Sequence, residues 1–277
     1  MGHIPVLKKE VLEYLEPKPN ENFIDCTLGE GGHSLEILSK NGPNGKVLGI
    51  EIDEEMAKKT RHPRLVVVNG SYRDLRAIAE ENGFYPVSGI IFDLGMSSWH
   101  IDESKRGFSL MRDEPLDMRY SIEDRITAWD IVNKYPENRL AKIIEEYGEE
   151  RNAWKIAKKI TRRRPINTTF DLIKAIKERR RGKIHPATRI FQALRIEVNQ
   201  ELKNIEEGLL QALEMVLPSG RIVAISFHSL EDRIVKNIFK NDKRFQVLTK
   251  KPITASLEEA RENPRSRSAK LRTILKL

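Results

Sequence analysis

Residues 22–53 read NFIDCTLGEGGHSLEILSKNGPNGKVLGIEID, and this stretch decides the fold. Asn22 to Thr27 is a short apolar strand that runs into a glycine-rich turn, Gly29-Glu30-Gly31-Gly32. A helix follows from about His33 to Lys40 and stops at Asn41-Gly42-Pro43, a cluster of strong breakers. Lys46 to Asp53 then reads as a buried strand. Strand, glycine turn, helix and strand within about thirty residues make one βαβ unit, whose two strands lie parallel.

Outward from that unit the rhythm repeats. Glu54 to Thr60 reads as a short helix, Leu65 to Val68 as a third strand, Tyr72 to Asn82 as a helix closed by Gly83, and Ser88 to Asp93 as a fourth strand. Apolar runs of this length between helices predict a parallel sheet covered on both faces. After about residue 100 the pattern breaks. From Thr127 to Arg181 the signal is helical, punctuated at Tyr135-Pro136 and Arg164-Pro165. Leu202, Ile205, Leu209, Leu213 and Val216 then recur at helical spacing, and Pro218-Ser219-Gly220 is the expected stop. Arg221 to Phe227 is a strand, Ser229 with Asp232 has the spacing of a helix N-cap, and Phe245–Thr249 and Leu271–Leu277 supply two closing strands. The order predicts an α/β sheet of residues 1–105 and 199–277 with an all-helical insert at 106–198.

Composition narrows the function. The chain of 277 residues carries a net charge of +8, but unevenly. Arg151 to Arg195 holds 15 Lys/Arg against two acids, Asp171 and Glu178, so 45 residues carry +13 and the other 232 carry −5. The clusters Arg162-Arg163-Arg164 and Arg179-Arg180-Arg181, with Lys183, repel internally unless they meet an anion, which points to a polyanionic partner rather than only a solvated helix face. Cys26, the single cysteine, excludes an intrachain disulfide framework and a cysteine-based zinc site. No His/Cys/Asp cluster has metal spacing, so no metal is expected. No apolar run reaches about 18 residues and no signal-peptide block opens the chain, so a soluble, cytoplasmic protein without a membrane segment is expected.

Ligands in a doubly wound sheet sit beyond the carboxyl ends of its strands. Three such ends carry unusual residues. The first is the Asp25–His33 turn, whose glycines admit close approach and whose helix aims amide N–H groups outward. The second is Glu51, 19 residues beyond Gly32 and near the offset of about 20 at which an acid binds ribose hydroxyls. Asp53 competes with it. The third is Asp93-Leu94-Gly95-Met96-Ser97-Ser98, where Asp93 either accepts hydrogen bonds from an amine or caps a helix. A dinucleotide loop needs a third glycine where Ser34 stands, and Asp25 and Glu30 suit a cation better than a pyrophosphate. Both facts favour S-adenosylmethionine over a nicotinamide cofactor. Cys26, inside the first strand and its turn, suits a small buried residue better than the nucleophile of a cytosine-C5 methyltransferase.

Further blocks complete a pattern: His3-Ile4-Pro5-Val6-Leu7, Arg106-Gly107-Phe108-Ser109, Pro115-Leu116-Asp117-Met118-Arg119, Tyr147-Gly148-Glu149-Glu150-Arg151, His185-Pro186-Ala187-Thr188-Arg189, Ile225–Arg233 and Glu262–Ser268. Together with Asp25–Ser34 and Asp93–Ser98 they span nearly the whole chain, which closely resembles the bacterial 16S rRNA (cytosine-N4)-methyltransferases of the RsmH/MraW family. The resemblance implies a Rossmann-like class I methyltransferase sheet with a helical insert and S-adenosylmethionine as cofactor. It also implies assembled small ribosomal subunit as substrate, methylated at the decoding centre near the P site, and it leaves room for a homodimer.

It further implies cofactor contacts at Gly31, Gly32, His33, Glu51, Tyr72 and Asp93. Trp99-His100 stands where relatives often have Pro-Gln, which makes His100 the counterpart of a cofactor-contacting glutamine. On the substrate side the candidates are Asp93, Ser97, Asp117, Arg119, His228 and Glu231. Asp117 has anchoring of Arg119 as its alternative, and His228 has capping of the helix that starts at Ser229. Arg162, Arg163, Arg164, Arg179, Arg180, Arg181 and Lys183 are the RNA-phosphate candidates. Phe191, Trp99 and Phe108 are candidate base-stacking aromatics, each competing with a place in the core.

Overall fold

The structure, a computed structural model, describes residues 5–176 and 187–277. Seven strands form one sheet: β1 (Phe23–Asp25), β2 (Val47–Glu51), β3 (Leu65–Asn69), β4 (Val87–Asp93), β5 (Val216–Ser226), β6 (Phe245–Val247) and β7 (Lys270–Lys276). Their order is β3-β2-β1-β4-β5-β7-β6. The expected parallel arrangement holds from β3 to β5, with Phe23 opposite both Val47 and Gly89. It reverses at β7, which runs antiparallel to both β5 and β6. Five parallel strands joined to a reversed one give the Rossmann-like class I methyltransferase sheet. Strand order switches direction beside β1, between β2 and β4, which places the ligand crevice at the carboxyl ends of β1 and β4.

The helices in chain order are α1 (Lys8–Leu15), α2 (Gly32–Lys40), α3 (Glu54–Ala57), α4 (Leu75–Glu81), α5 (Ser98–Asp102), α6 (Ala128–Lys134), α7 (Glu137–Glu146), α8 (Ala153–Thr161), α9 (Thr169–Ile176), α10 (Ala187–Asn199), α11 (Glu201–Met215), α12 (Ser229–Asn241) and α13 (Leu257–Glu262). The chain divides into two compact units, 1–95 with 202–277 and 96–201. The junctions read from sequence lay at 105/106 and 198/199.

In the sheet unit, alternate strand residues face opposite layers. Ile24, Leu48 and Phe92 pack with Ile205, Leu209 and Leu213 of α11 and Phe239 of α12. Phe23, Val47 and Ile91 pack with Val11 and Leu15 of α1 and Ile37 and Leu38 of α2. The helical unit has its own core, in which Ile131, Leu140, Ile144, Ile156, Ile160, Leu172 and Leu194 meet. No helix among the described residues is long and apolar enough to cross a membrane.

Three local readings are corrected. The helix starting at Glu54 ends at Ala57 instead of Thr60. α11 ends at Met215, before Pro218-Ser219-Gly220, and β5 runs through those residues as an irregularity between Val87↔Val216 and Gly89↔Arg221. There Ser219 takes a left-handed φ of 64°, so the breakers bend a strand rather than stop a helix. The helical signal after Thr127 breaks at the expected Tyr135-Pro136 and Arg164-Pro165, and once more, unexpectedly, between Glu146 and Ala153, giving α6, α7, α8 and α9.

Candidate active site at the carboxyl edge of the sheet

β1 delivers Asp25 to the edge of the sheet, 1% exposed. Its carboxylate accepts from Thr27 N–H at 3.1 Å and from the Ser34 hydroxyl at 2.7 Å, which ties the strand end to the first turn of α2. Burial raises the Asp25 carboxyl above the usual carboxylate range, and His33 opposes that rise. Between strand and helix, Gly29 and Gly31 take φ of 52° and 78°. A Cβ on Gly31 would stand 2.4 Å from the Thr60 methyl, so both conformation and space require glycine there. A Cβ on Gly32 would press on Pro5 at 3.1 Å, whereas at Gly29 the space is open.

β2 ends on Glu51. Gly29 N–H donates to its Oε2 at 2.8 Å and Asp53 N–H to its Oε1 at 3.0 Å, so the carboxylate lies against the glycine turn. Burial pushes its pKa up to about 7 despite those two donors. Asp53, the competing acid, is the N-cap of α3 and accepts from Glu55 and Met56 N–H. After β3, Ser71 caps a single 3-10 turn that holds Tyr72. The Tyr72 ring stands edge-on to Phe92 at 5.8 Å, and a Cβ on Gly208 would meet it at 2.8 Å.

β4 ends on Asp93, whose backbone N–H donates to Thr27 Oγ1 at 2.7 Å. Its Oδ2 lies 3.5 Å from His33 Nε2. Both His33 ring nitrogens are buried without a hydrogen-bond partner among the described residues. Thr27 and Ser34 were missed in the sequence because nothing in their spacing marks a residue that braces two strand ends. The same edge therefore gathers Asp25, Glu51 and Asp93, and among the described residues no lysine or arginine pairs with them.

Beyond β5, the helix cap is His228, not Ser229. His228 Nδ1 accepts from Glu231 N–H at 3.4 Å, and Glu231 Oε2 accepts from Phe227 and His228 N–H at 2.7 and 3.2 Å. Imidazole here does what a serine oxygen does in the commoner capping box. A Cβ on Gly95 would lie 2.5 Å from the Phe227 ring, so the loops after β4 and β5 touch through a glycine. Cys26 is 2% exposed, and burial pushes its thiol well above the ordinary range, the opposite of what a nucleophilic thiolate needs.

The remaining candidates belong to the helical unit. Ser97 caps α5 by accepting from Trp99 N–H at 3.2 Å. His100 is 3% exposed among the rings of Trp99, Phe108 and Tyr120, 4.9–5.3 Å away. Asp117 grips Arg119 with two parallel bonds of 2.7 and 2.8 Å, and Arg119 also donates to the carbonyls of Ile122 and Asp124. That fork holds the guanidinium charge more firmly than usual.

Of the arginine triad on the C-terminal side of α8, only Arg162 points outward with its head group unengaged among the described residues. Arg163 donates to the carbonyls of Lys174 and Ala175. Arg164 donates to those of Val132 and Tyr135 at 2.7 and 2.6 Å, closing the last turn of α6. Arg179, Arg180, Arg181 and Lys183 lie outside the described residues. Trp99, Phe108 and Phe191 are core residues, none more than 8% exposed.

A nucleoside carrying a sulfonium fits this edge. Glu51 keeps acceptor capacity for ribose hydroxyls, Gly29 leaves open space beside it, His33 has buried nitrogens to satisfy, and carboxylates line the edge. The family model described as the MraW methylase family matches residues 1–277. Ribosomal RNA small subunit methyltransferase H of Thermotoga neapolitana is 49% identical over 98% of this chain and 94% of its own. That of Carboxydothermus hydrogenoformans is 43% identical, over 100% of this chain and 98% of its own. Among solved structures, a rRNA-methylase from Streptococcus thermophilus aligns with 10% identity and a TM-score of 0.47 over 100% of this chain and 99% of that one. A match from end to end, with relatives this similar over nearly their whole length, shows that the chain belongs to the MraW methylase family.

Proposed function

We propose that this methylase moves the methyl group of S-adenosylmethionine to N4 of one cytosine in 16S rRNA, at the decoding centre of the small ribosomal subunit. The observation that carries the reading is the Glu51 carboxylate seated on the glycine turn, with Asp93 and His33 beside it on the same sheet edge. The printed names of the relatives, ribosomal RNA small subunit methyltransferases, supply the substrate class. Bound S-adenosylmethionine supplies an electrophilic methyl group on a positively charged sulfur.

The residues then have separable tasks. Glu51 accepts from the ribose hydroxyls, Gly31 and Gly32 let the chain close on the cofactor, and Tyr72 flanks the adenine. Asp93 accepts a hydrogen bond from the exocyclic amine. That bond turns the nitrogen lone pair, otherwise delocalised into the cytosine ring, toward the methyl carbon. With S-adenosylmethionine bound, transfer of its methyl group to the amine would release one proton from N4. In this reading Asp93 accepts it, and His33 Nε2, 3.5 Å from Asp93 Oδ2, is its neighbour. In the sheet unit His228 with Glu231 orders the loop after β5; in the helical unit Asp117 fixes Arg119, Ser97 starts α5 and His100 sits within its aromatic cluster. The helical unit carries the RNA-phosphate contact through its basic segment.

Mass mapping of 16S rRNA from a strain lacking this chain tests the reading. One cytosine is expected to lose a methyl group and to regain it on complementation. Asp93→Asn is expected to bind S-adenosylmethionine normally and to methylate about 10²–10⁴-fold more slowly. Full methylation in the deletion strain, or wild-type turnover by Asp93→Asn, refutes the assignment.

A further inference from the structure

α8 buries Ala153, Ile156, Ala157 and Ile160, the three-and-four spacing of one face. The opposite face gathers Trp154, Lys155, Lys158 and Arg162, and Arg151 stands in the turn just before the helix, all exposed. At about 100° per residue Trp154, Lys155, Lys158 and Arg162 fall within an arc of roughly 100°. Trp154 is 58% exposed, and among the described residues its ring meets no aromatic or cationic group and its indole N–H has no acceptor. The four cations around it have no carboxylate partner among the described residues either. Other cations of the same unit do: Lys134 reaches Asp130 at 2.7 Å, Arg139 reaches Glu197 at 3.2 Å, and Arg189 reaches Glu150 at 3.5 Å.

A solvated helix face accounts for lysines and arginines, and cations near a helix C-terminus favour the helix itself. It does not account for a large, unpartnered indole in their midst. An aromatic platform ringed by unpaired cations is what a single-stranded nucleic acid recognises: a base stacks on the ring while flanking phosphates meet the charges. Charge complementarity therefore selects an RNA rather than an apolar or cationic protein surface.

We propose that the Trp154–Lys155–Lys158–Arg162 face of α8, with Arg151 in the turn before it, is an RNA-docking surface on which Trp154 stacks an unpaired base of the small-subunit rRNA. This rests on the proposed rRNA substrate and names the surface that receives it. The residues that do this work differ from the buried aromatics and from the two arginines of the triad that brace helix ends.

The test uses the full chain, with small ribosomal subunits lacking the modification and, separately, protein-free 16S rRNA. Trp154→Ala is expected to raise KM for the subunit about tenfold, with unchanged kcat and unchanged cofactor affinity. Trp154→Phe is expected to recover most of that loss. Replacing Arg151, Lys155, Lys158 and Arg162 together by Gln should lower the slope of log affinity against log salt by roughly 3 for protein-free 16S rRNA. RNA should quench tryptophan fluorescence in the wild-type chain, and the quenching should be lost in Trp154→Ala.

Wild-type KM and salt slope in both variants, with methylation intact, overturn the surface and leave the proposed reaction standing. A wild-type chain that methylates no subunit, yet shows Trp154 quenching and the altered salt slope, sinks the reaction and keeps the surface. A Trp154→Ala defect seen on assembled subunits and absent on protein-free 16S rRNA overturns the stacking proposal in favour of a ribosomal-protein contact.

Discussion

Glu51 is a buried carboxylate, and the two backbone amides that donate to it do not offset the cost of burying its charge. With its pKa at about 7 against an ordinary 4.5, the folded chain binds more protons than the unfolded chain between those values. Stability from this group is therefore complete below about pH 4.5 and is lost as pH rises through 7. Asp25 shifts in the same direction. Glu51→Gln, permanently neutral, should flatten the fall in melting temperature between pH 5 and 7.5. Ribose hydroxyls donate to the ionised form, so cofactor binding should expel a proton. Affinity is expected to rise with pH by up to tenfold per unit below 7 and then to level off. Calorimetry at pH 6 in two buffers of different ionisation enthalpy checks the proton count, and an affinity independent of pH over that range contradicts the account. Glu51 was legible in the sequence from its distance to the glycine turn. That Asp53 caps α3 was not legible there, because strand end and helix cap place an acid in the same two-residue window.

Helix ends account for what the sequence did not reveal. A hydroxyl at a cap position is a familiar sign, so Ser229 with Asp232 drew the first reading, and of the two roles open to His228 the structure shows the cap. Arginine triads look alike as charge, yet Arg163 and Arg164 spend their donors on the terminal carbonyls of α9 and α6. Only tertiary placement separates them from Arg162. Arg164→Ala should thus cost about 1–3 kcal/mol of stability through unsatisfied buried carbonyls, with no change in the salt dependence of RNA binding. Arg162→Ala should do the reverse. Urea unfolding and binding at several salt concentrations distinguish the two. At the other kind of turn, Gly31→Ala forces a left-handed φ and a clash with Thr60, at a cost of about 1–3 kcal/mol. Its cofactor affinity should fall well beyond what the loss of stability explains.

At the scale of the whole molecule, the alternation of apolar runs and helices made the parallel strands readable, since buried strands carry no other pattern. The direction of β7 was not readable, because a short apolar strand looks the same in either sense. The helical insert showed itself by its charge and by the interruption of the βα rhythm. The connection across that interruption has a kinetic consequence. Asp93 of β4 pairs with Ile225 of β5, whereas Asp25 of β1 finds Gly49 of β2 within the same short unit. Closing the longer loop costs about 1.5 kcal/mol more chain entropy than closing the shorter one. The centre of the sheet should therefore be its slow seam. Amides of β1 and β2 and of the insert helices are expected to gain protection first in pulse-labelled refolding, with β5 joining last, and a chain whose insert is destabilised should refold more slowly even where its sheet is untouched.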